Sequence, residues 1–309
     1  MRLSISLSMS ASTFASTLLL FLCCAFRAAA ADGIPTEIRL SIDGVERRAL
    51  LVDPVVGDAP RPLVLVLHGG MSNAEAMRAQ SGFDRVAVDG GFATVYAEGT
   101  TWAPGRHAWN TGHLLREQVS EADDIAYFDA LIDLLIARHR IDPDRVYMTG
   151  GSNGAMMTFV YALRRPQRLA AIAPVVGAMF GFDETPAEPV PILMINGGRD
   201  AEVPVDGGMS LHPLVRRNQR TPYRSLEETV AFWVTANRSL PTPTVEVAGT
   251  VTTRTHAPAP GGAVTISVLD ADGGHGWPGT RSRRADNTPI RAFDGAQRVW
   301  AFFRTQRRP

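Results

Sequence analysis

The chain alternates between short, wholly apolar runs and longer stretches in which apolar residues recur at helical spacing. Three runs are typical of strands buried on both faces of a parallel sheet: "PLVLVLHGG", "AAIAPVVG" and "PVPILMING". Three further segments are predicted strands: "GFATVYAEG", "RVYMTG" and "AVTISVLDA". Helical spacing predicts helices over 123–139, 155–163, 227–237 and 295–303. Strands that alternate with helices predict an α/β fold, with a mostly parallel sheet covered by helices on both faces.

Two segments depart from this pattern. Residues 36–52 alternate between apolar and polar in two runs around Asp43 and Gly44, which predicts a β-hairpin. Residues 240–262 are polar and rich in proline, and we interpret them as a surface excursion rather than a linker. Because the predicted strands and helices spread over the remaining chain, we expect a single domain from 32 to 309.

The N-terminal segment 1–31 has the features of a secretory signal. Arg2 is followed by an apolar run at 18–22, and the alanines after Phe26 offer cleavage near Ala29 to Ala31. The apolar run is shorter than the roughly 20 residues of a membrane span. We therefore expect export to the periplasm or beyond. Both cysteines, Cys23 and Cys24, lie in this segment, so the processed chain is expected to have no disulfide and no thiol nucleophile.

Composition narrows the candidate chemistry. The chain carries 31 basic and 31 acidic residues, so its charge gives no reason to expect a nucleic-acid partner. Every basic residue is Arg, which excludes Walker A loops, Schiff-base lysines and S-x-x-K enzymes. Asp123 and Asp124 have no His or Cys cluster beside them, and we interpret them as charges at a helix N-terminus. We expect no metal and no cofactor.

The segment "VYMTGGSNGAMMT" contains the pattern G-x-S-x-G, with Ser152 at its centre. It lies between a predicted strand and a predicted helix, where a sharp turn would expose the serine hydroxyl at the carboxyl edge of the sheet. Glycine at 150 and 154 would tolerate the strained turn and the close approach of the helix. A serine there can also be a simple N-cap, so the motif needs partners elsewhere in the chain.

A nucleophilic serine needs a base and an acid, which in this arrangement follow it in the order acid, then histidine. The histidines after the motif are His212, His256 and His275. His275 follows a predicted strand in the glycine-rich segment "DADGGHGWPG", whereas the other two lie in proline-rich segments expected at the surface. Asp200 follows the strand in "ILMINGGRD", and Asp206 is the alternative acid. The sequence predicts Ser152, His275 and Asp200 as nucleophile, base and acid.

Backbone amides near Ser152 are candidates for an oxyanion hole. One is that of Asn153, and the second comes from "LHGG", with Gly70 preferred and Gly69 as the alternative. Three tryptophans lie in predicted loops and are candidate substrate-binding residues: Trp102, Trp109 and Trp277.

With these motifs in place, the chain resembles secreted polyhydroxybutyrate depolymerase-like and feruloyl esterase-like α/β-hydrolases over roughly 62–303. The resemblance is carried by the serine motif together with "INGGRDAEVPVDGG", "EETVAFW" and "GGHGWPG". It implies an α/β-hydrolase fold and the same roles for Ser152, Asp200 and His275. Many relatives carry cysteines near "WN" and after "FW", which the processed chain would lack.

The function expected from the sequence is a secreted serine esterase that hydrolyses carboxylic esters through an acyl-enzyme, with hydroxyalkanoate oligomers or polyester as substrate. Feruloyl or acetyl groups on plant polysaccharide are an alternative. A second alternative is a secreted binding protein that keeps the hydrolase fold without activity. The expected partner is the ester substrate, with no nucleic acid and no membrane span, and the oligomeric state is left open.

Overall fold

The computed structural model describes residues 34–309, except 55–56, 114–118, 120–122, 182–183 and 281–288. The predicted signal at 1–31 lies outside the described residues. Among the residues that are described, no helix combines the length and apolar character that crossing a bilayer requires.

The described part of the chain forms twelve strands and seven α-helices. The strands are β1 (Thr36–Ile42), β2 (Val45–Val52), β3 (Arg61–Leu67), β4 (Ala93–Ala97), β5 (Thr100–Ala103), β6 (Arg106–Ala108), β7 (Ile141–Gly151), β8 (Ala171–Val175), β9 (Ile192–Gly197), β10 (Thr244–Ala248), β11 (Val251–His256) and β12 (Thr265–Asp270). The helices are α1 (Ala74–Ser81), α2 (Phe83–Gly90), α3 (Asp124–His139), α4 (Asn153–Arg164), α5 (Pro213–Asn218), α6 (Leu226–Ala236) and α7 (Gly295–Phe303), with a 3₁₀ turn at Pro166–Arg168.

Ten of these strands form one sheet in the order β1-β2-β4-β3-β7-β8-β9-β12-β11-β10, and β5 and β6 form a separate hairpin. The central run from β4 to β12 is parallel, and antiparallel strands extend it at both edges. The predicted α/β class with a mostly parallel sheet is confirmed. Parallel strands run in one direction, so the loops after β3, β7, β9 and β12 meet at one edge of the sheet.

Helices cover both faces of the sheet, as the apolar runs predict. Along β3, Leu63, Leu65 and Leu67 belong to a core cluster that includes residues of α3, α4 and α6. Val64 and Val66, between them, belong to a second cluster that includes residues of α1, α2 and α7. Successive side chains of a strand point to opposite faces, so a wholly apolar strand is one that is buried on both sides.

The predicted hairpin is confirmed, and the interpretation of 240–262 needs correction. β1 and β2 pair around Asp43 and Gly44, whose φ values of 49° and 81° are those of a type I′ turn. The segment 240–262 contains β10 and β11, which extend the sheet beyond β12. All five residues of β10 are exposed. The polar composition of 240–262 therefore reflects a solvated edge of the sheet rather than a surface excursion.

Candidate active site

Ser152 occupies a strained turn between β7 and α4, with φ 56° and ψ −119°. Its amide donates to the Val175 carbonyl at 3.0 Å, which ties the turn to the end of β8. A Cβ atom on Gly150 would lie 2.6 Å from the backbone carbon of Gly154, and one on Gly154 would lie 2.5 Å from the His68 carbonyl oxygen. Both positions therefore require glycine. The Ser152 side chain makes no capping hydrogen bond, so the N-cap alternative is wrong.

The loops after β9 and β12 bring Asp200 and His275 together. His275 Nδ1 lies 2.8 Å from Asp200 Oδ2. The other oxygen of Asp200 accepts the amides of Glu202 at 2.9 Å and Val203 at 2.8 Å, which fixes the carboxylate. An ionised carboxylate only accepts, so Nδ1 carries the proton and Nε2 is left as the basic nitrogen. The alternative acid, Asp206, is exposed to solvent.

A second carboxylate, that of Glu202, reaches the same imidazole and was missed in the sequence. Its Oε2 lies 3.4 Å from His275 Nε2. Burial lowers the pKa of His275, but the charge and hydrogen bond of Asp200, followed by the charge of Glu202, outweigh it and raise the pKa above its ordinary value. The sequence offered one indication of this role, which is the position of Glu202 two residues after the predicted acid Asp200. The loop that carries both residues follows β9 at the carboxyl edge of the sheet.

Two cavities meet at Ser152. The smaller one has a volume of about 180 Å³ and is also lined by His275 and Trp277. The larger one has a volume of about 420 Å³ and is also lined by Trp102, Asn153 and His212. Gly70, Ser152 and Glu202 line both cavities. The structure therefore brings the predicted nucleophile and base to one cavity and opens a second, larger space beside them.

The loop after β3 is anchored by a buried histidine. The Gly99 amide donates to His68 Nε2 at 2.9 Å, so Nδ1 carries the proton and donates to the Gly69 carbonyl at 2.7 Å. Burial lowers the pKa of His68 to about 4, which keeps the ring neutral. The Gly69 carbonyl and the Gly70 N–H belong to one planar peptide unit and point in opposite directions. Holding the carbonyl therefore fixes the direction of the Gly70 amide.

The other predicted oxyanion donor, Asn153, is the first residue of α4. The amide at the start of a helix has no partner within the helix, so it is available to an anion. The side chain of Asn153 accepts the Trp109 amide at 2.8 Å and donates to the Trp109 carbonyl at 3.2 Å. Asn153 lines the larger cavity.

The predicted tryptophans take different positions. Trp277 lines the smaller cavity and donates through Nε1 to the Ser81 carbonyl at 3.1 Å. Trp102 lines the larger cavity. Trp109 is fully buried and donates to the His68 carbonyl at 2.9 Å, so the prediction that it contacts substrate is wrong. Its tertiary packing against His68 and Phe128 explains the burial of a residue that follows a hairpin.

The remaining histidines and the acidic pair are also located. His212 lines the larger cavity, whereas His256 is buried, with Nδ1 2.9 Å from the Leu240 carbonyl. Asp123 caps α3 by accepting the amides of Ile125 and Ala126, which confirms its interpretation as helix N-terminal charge. Within the described ranges, no group of three or more His, Cys, Asp or Glu side chains is arranged to hold a metal ion.

The sheet order, the serine turn after β7, and the acid and histidine after β9 and β12 define an α/β-hydrolase fold. The structure is similar to that of the acetyl xylan esterase from Aspergillus awamori, with a TM-score of 0.56 and 14% identity, covering 78% of this chain and 94% of that one. At this identity the similarity supports the fold alone.

Residues 47–207 match the family described as Esterase PHB depolymerase, and the chain belongs to that family. It is 32% identical over 232 residues to NocK of Nocardia uniformis subsp. tsuyamanensis, named as a candidate esterase, covering 71% of this chain and 66% of NocK. It is 34% identical over 147 residues to poly(3-hydroxyalkanoate) depolymerase C of Paucimonas lemoignei, covering 42% of this chain and 34% of the depolymerase. It is 28% identical over 159 residues to feruloyl esterase B of Piromyces equi, covering 50% of this chain and 29% of the feruloyl esterase. The resemblance seen in the motifs is confirmed.

Proposed function

We propose that this protein is a serine esterase that hydrolyses carboxylic esters through an acyl-enzyme on Ser152. The observation that carries the proposal is the 2.8 Å contact between His275 Nδ1 and Asp200, on loops that reach the cavity of the strained Ser152 turn. The match to the Esterase PHB depolymerase family supports the same reaction class. Export, which rests on the signal pattern at 1–31, is part of the proposal.

In the first half-reaction, Ser152 Oγ attacks the ester carbonyl carbon while its proton passes to His275 Nε2. The carbon–oxygen π pair moves onto the carbonyl oxygen and forms an oxyanion. Asp200 accepts a hydrogen bond from His275 Nδ1–H and so stabilises the imidazolium. When the tetrahedral intermediate collapses, the bond to the leaving oxygen breaks, and His275 Nε2 returns its proton to that oxygen. The products are an alcohol and the acyl-enzyme.

The amides of Gly70 and Asn153 stabilise the oxyanion. Support comes from two features: His68 holds the Gly69 carbonyl, and the Asn153 amide opens α4 without a helical partner. Donors that are already oriented need no rearrangement when the charge develops, which is why such amides lower the barrier.

In the second half-reaction, water replaces the alcohol. Its proton passes to His275 Nε2 as its oxygen attacks the acyl carbon. Collapse of the second tetrahedral intermediate breaks the bond to Ser152 Oγ, which takes the proton back from His275. The acid product leaves, and the serine is restored.

For the substrate we propose hydroxyalkanoate oligomers, with support from the similarity to depolymerase C and from a 420 Å³ cavity that exceeds a simple acyl group. The similarity to feruloyl esterase B favours a second candidate, feruloyl or acetyl groups on plant polysaccharide. A panel with hydroxybutyrate oligomers, methyl ferulate and acetylated xylan separates the two.

The nucleophile is tested with Ser152→Ala. We expect kcat to fall by at least about 10³-fold and fluorophosphonate labelling to disappear, because only an activated serine reacts. Ser41→Ala, at an exposed position of the edge strand β1, is the matched control and should keep both kcat and labelling. Ester turnover near that of the unchanged protein by Ser152→Ala would refute the proposal. Failure of the unchanged protein to react with the probe would instead favour an inactive binding protein.

A further inference from the structure

The carboxylate of Glu202 lies where the alcohol part of an ester must leave. In the proposed mechanism the leaving oxygen takes its proton from His275 Nε2, so it must come within hydrogen-bond distance, about 3 Å, of that nitrogen. Glu202 Oε2 lies 3.4 Å from the same nitrogen. Two atoms that both contact one nitrogen are no farther apart than the sum of their distances to it. Glu202 Oε2 therefore lies within about 6.5 Å of the leaving oxygen.

The smaller of the two cavities at Ser152 is the one that receives the alcohol part. Among the described residues, His275 lines the smaller cavity but not the larger one. A leaving oxygen that contacts His275 therefore carries its alcohol group into the smaller cavity. The volume of about 180 Å³ leaves room for about six non-hydrogen atoms, if each takes roughly the 30 Å³ of a water molecule.

The smaller cavity carries a net negative charge. Among the described residues that line it, only Glu202 and His275 are ionisable. In the described part of the chain, His275 is the ion-pair partner of Glu202, and its other nitrogen faces Asp200. With a neutral imidazole, the two carboxylates leave two negative charges at the site. Passing a proton from Ser152 to His275 moves charge within the site without changing that total.

The larger cavity differs in charge. Arg106 lines it together with Glu202, so a positive and a negative side chain are both present. An acyl group in the larger cavity therefore meets no single sign of charge. A preference for charge is expected for the alcohol part of the ester alone.

The other side chains of the smaller cavity suit a cation that carries alkyl groups. Trp277 and Met77 line this cavity. The indole lies close to the serine turn, since a Cβ added to Gly151 would be 3.7 Å from Trp277 Cε3. Alkylated ammonium ions combine a charge with apolar methyl groups and are bound in proteins by aromatic side chains. A carboxylate, an indole and a flexible thioether in one small cavity match such an ion.

We propose that the smaller cavity is a subsite for a cationic alcohol, with Glu202 as the residue that determines the charge preference. Esters whose alcohol part carries an alkylated ammonium group are preferred over neutral esters of the same shape, and neutral esters over anionic ones. The proposal rests on the proposed esterase function and deepens it by naming the class of alcohol.

The test uses three acetate esters: acetylcholine, its uncharged isostere 3,3-dimethylbutyl acetate, and the anion 2-sulfoethyl acetate. At mildly alkaline pH and low ionic strength, we expect kcat/KM to fall about tenfold at each step from cation to neutral ester to anion. This is the size of one charge interaction over such a distance in a partly solvated site. In Glu202→Gln the three values should converge. The effect of Glu202 on the pKa of His275 is common to all three substrates, so it cancels in their ratios.

Asp206→Asn is the matched control. It removes the same charge from an exposed position four residues further along the chain, outside the lining of both cavities, and should leave the ratios unchanged. A second measurement needs no variant. Tetramethylammonium chloride should inhibit the hydrolysis of 3,3-dimethylbutyl acetate competitively, whereas sodium chloride at the same ionic strength should not.

A ratio near one between acetylcholine and 3,3-dimethylbutyl acetate would overturn the proposal, as would a preference that Glu202→Gln retains. Either outcome leaves the esterase function intact, since both esters are then hydrolysed. Failure of the esterase function is distinguishable, because none of the three esters would then be hydrolysed and the fluorophosphonate would not label Ser152.

Discussion

Glu202 adds a second carboxylate to the pair that His275 forms with Asp200. It lies 3.4 Å from the nitrogen that takes up the proton in the proposed mechanism. The negative charge of Glu202 favours the protonated form of His275. It therefore stabilises the imidazolium that forms in the transition state, and it also raises the fraction of His275 that is protonated in the resting protein at acid pH. Glu202 therefore adds to the larger effect of Asp200 in raising the pH at which the proposed base becomes available.

Replacing this carboxylate should shift the pH profile. Glu202→Gln removes a charge that raises the pKa of His275, so the pKa falls and the neutral base persists to lower pH. We expect the acid limb of the kcat/KM profile to move to lower pH, measured on a soluble p-nitrophenyl ester. Glu227→Gln, at an exposed position of α6 that pairs with Arg254 of β11, is the control and should leave the profile in place. An unchanged or alkaline-shifted limb for Glu202→Gln would contradict this account.

At the scale of elements, the site depends on how closely α4 approaches the end of β3. Gly154 lies against the Leu67 and His68 carbonyls, and Gly69 lies close to Ser152, where an added Cβ would be 3.5 Å from the serine Cβ. The helix that carries the Asn153 amide and the loop that carries the Gly70 amide are thus in direct contact. Their separation is set by the absence of a side chain at 154.

Gly154→Ala should therefore impair both stability and turnover. The new methyl group would lie 2.5 Å from the His68 carbonyl oxygen, so α4 or the loop must shift. We expect a loss of about 1–3 kcal/mol in the free energy of unfolding, typical of overpacking, with a lower kcat because the amides separate. Urea unfolding and ester turnover measure the two effects.

Gly181→Ala is the matched control, since none of the residues that the structure describes comes within 4 Å of a Cβ added there. Its effect on the free energy of unfolding should stay within about 0.5 kcal/mol, as for an unremarkable surface change. Gly154→Ala protein with unaltered stability and kcat would show that the close contact is dispensable.

At the scale of the whole molecule, a buried ion pair joins β2 to the start of α3. Arg47 of β2 lies 2.6 Å from Asp124 of α3, and each side chain is 2% exposed. The second oxygen of Asp124 accepts the Asn110 amide at 2.9 Å, next to the buried Trp109. The guanidinium also lies 4.2 Å from the Tyr127 ring centroid. This cluster ties the β1–β2 hairpin to the segment around Trp109, which contacts His68 in the loop after β3.

Breaking the pair should be costly. Asp124→Asn leaves the Arg47 charge buried and uncompensated, and we expect the free energy of unfolding to fall by about 3–5 kcal/mol, measured by urea denaturation. Asp58→Asn removes the acid of an exposed ion pair with Arg140 and should lower the free energy of unfolding by at most about 1 kcal/mol. Equal losses in the two variants would contradict a special role for the buried pair.

The local pattern of the sequence was sufficient for most elements near the site. The apolar runs became buried strands, and the predicted helix over 295–303 agrees with α7 at both ends. The pattern was insufficient at β10 and β11, because strands at a solvated edge carry no continuous apolar run. It was also insufficient for Trp109, since burial of a loop residue depends on what folds over it.

By itself, the sequence determined the fold class and the order of the serine motif, the acid and the histidine, because these follow from local periodicity and from strand ends. The tertiary structure decided which loops meet. It places Asp200 2.8 Å from His275, whereas Asp206 is exposed to solvent. It also brought Glu202 to the cavities around Ser152. The physical reason is that contacts between loops depend on the order of strands in the sheet, and no local pattern encodes that order.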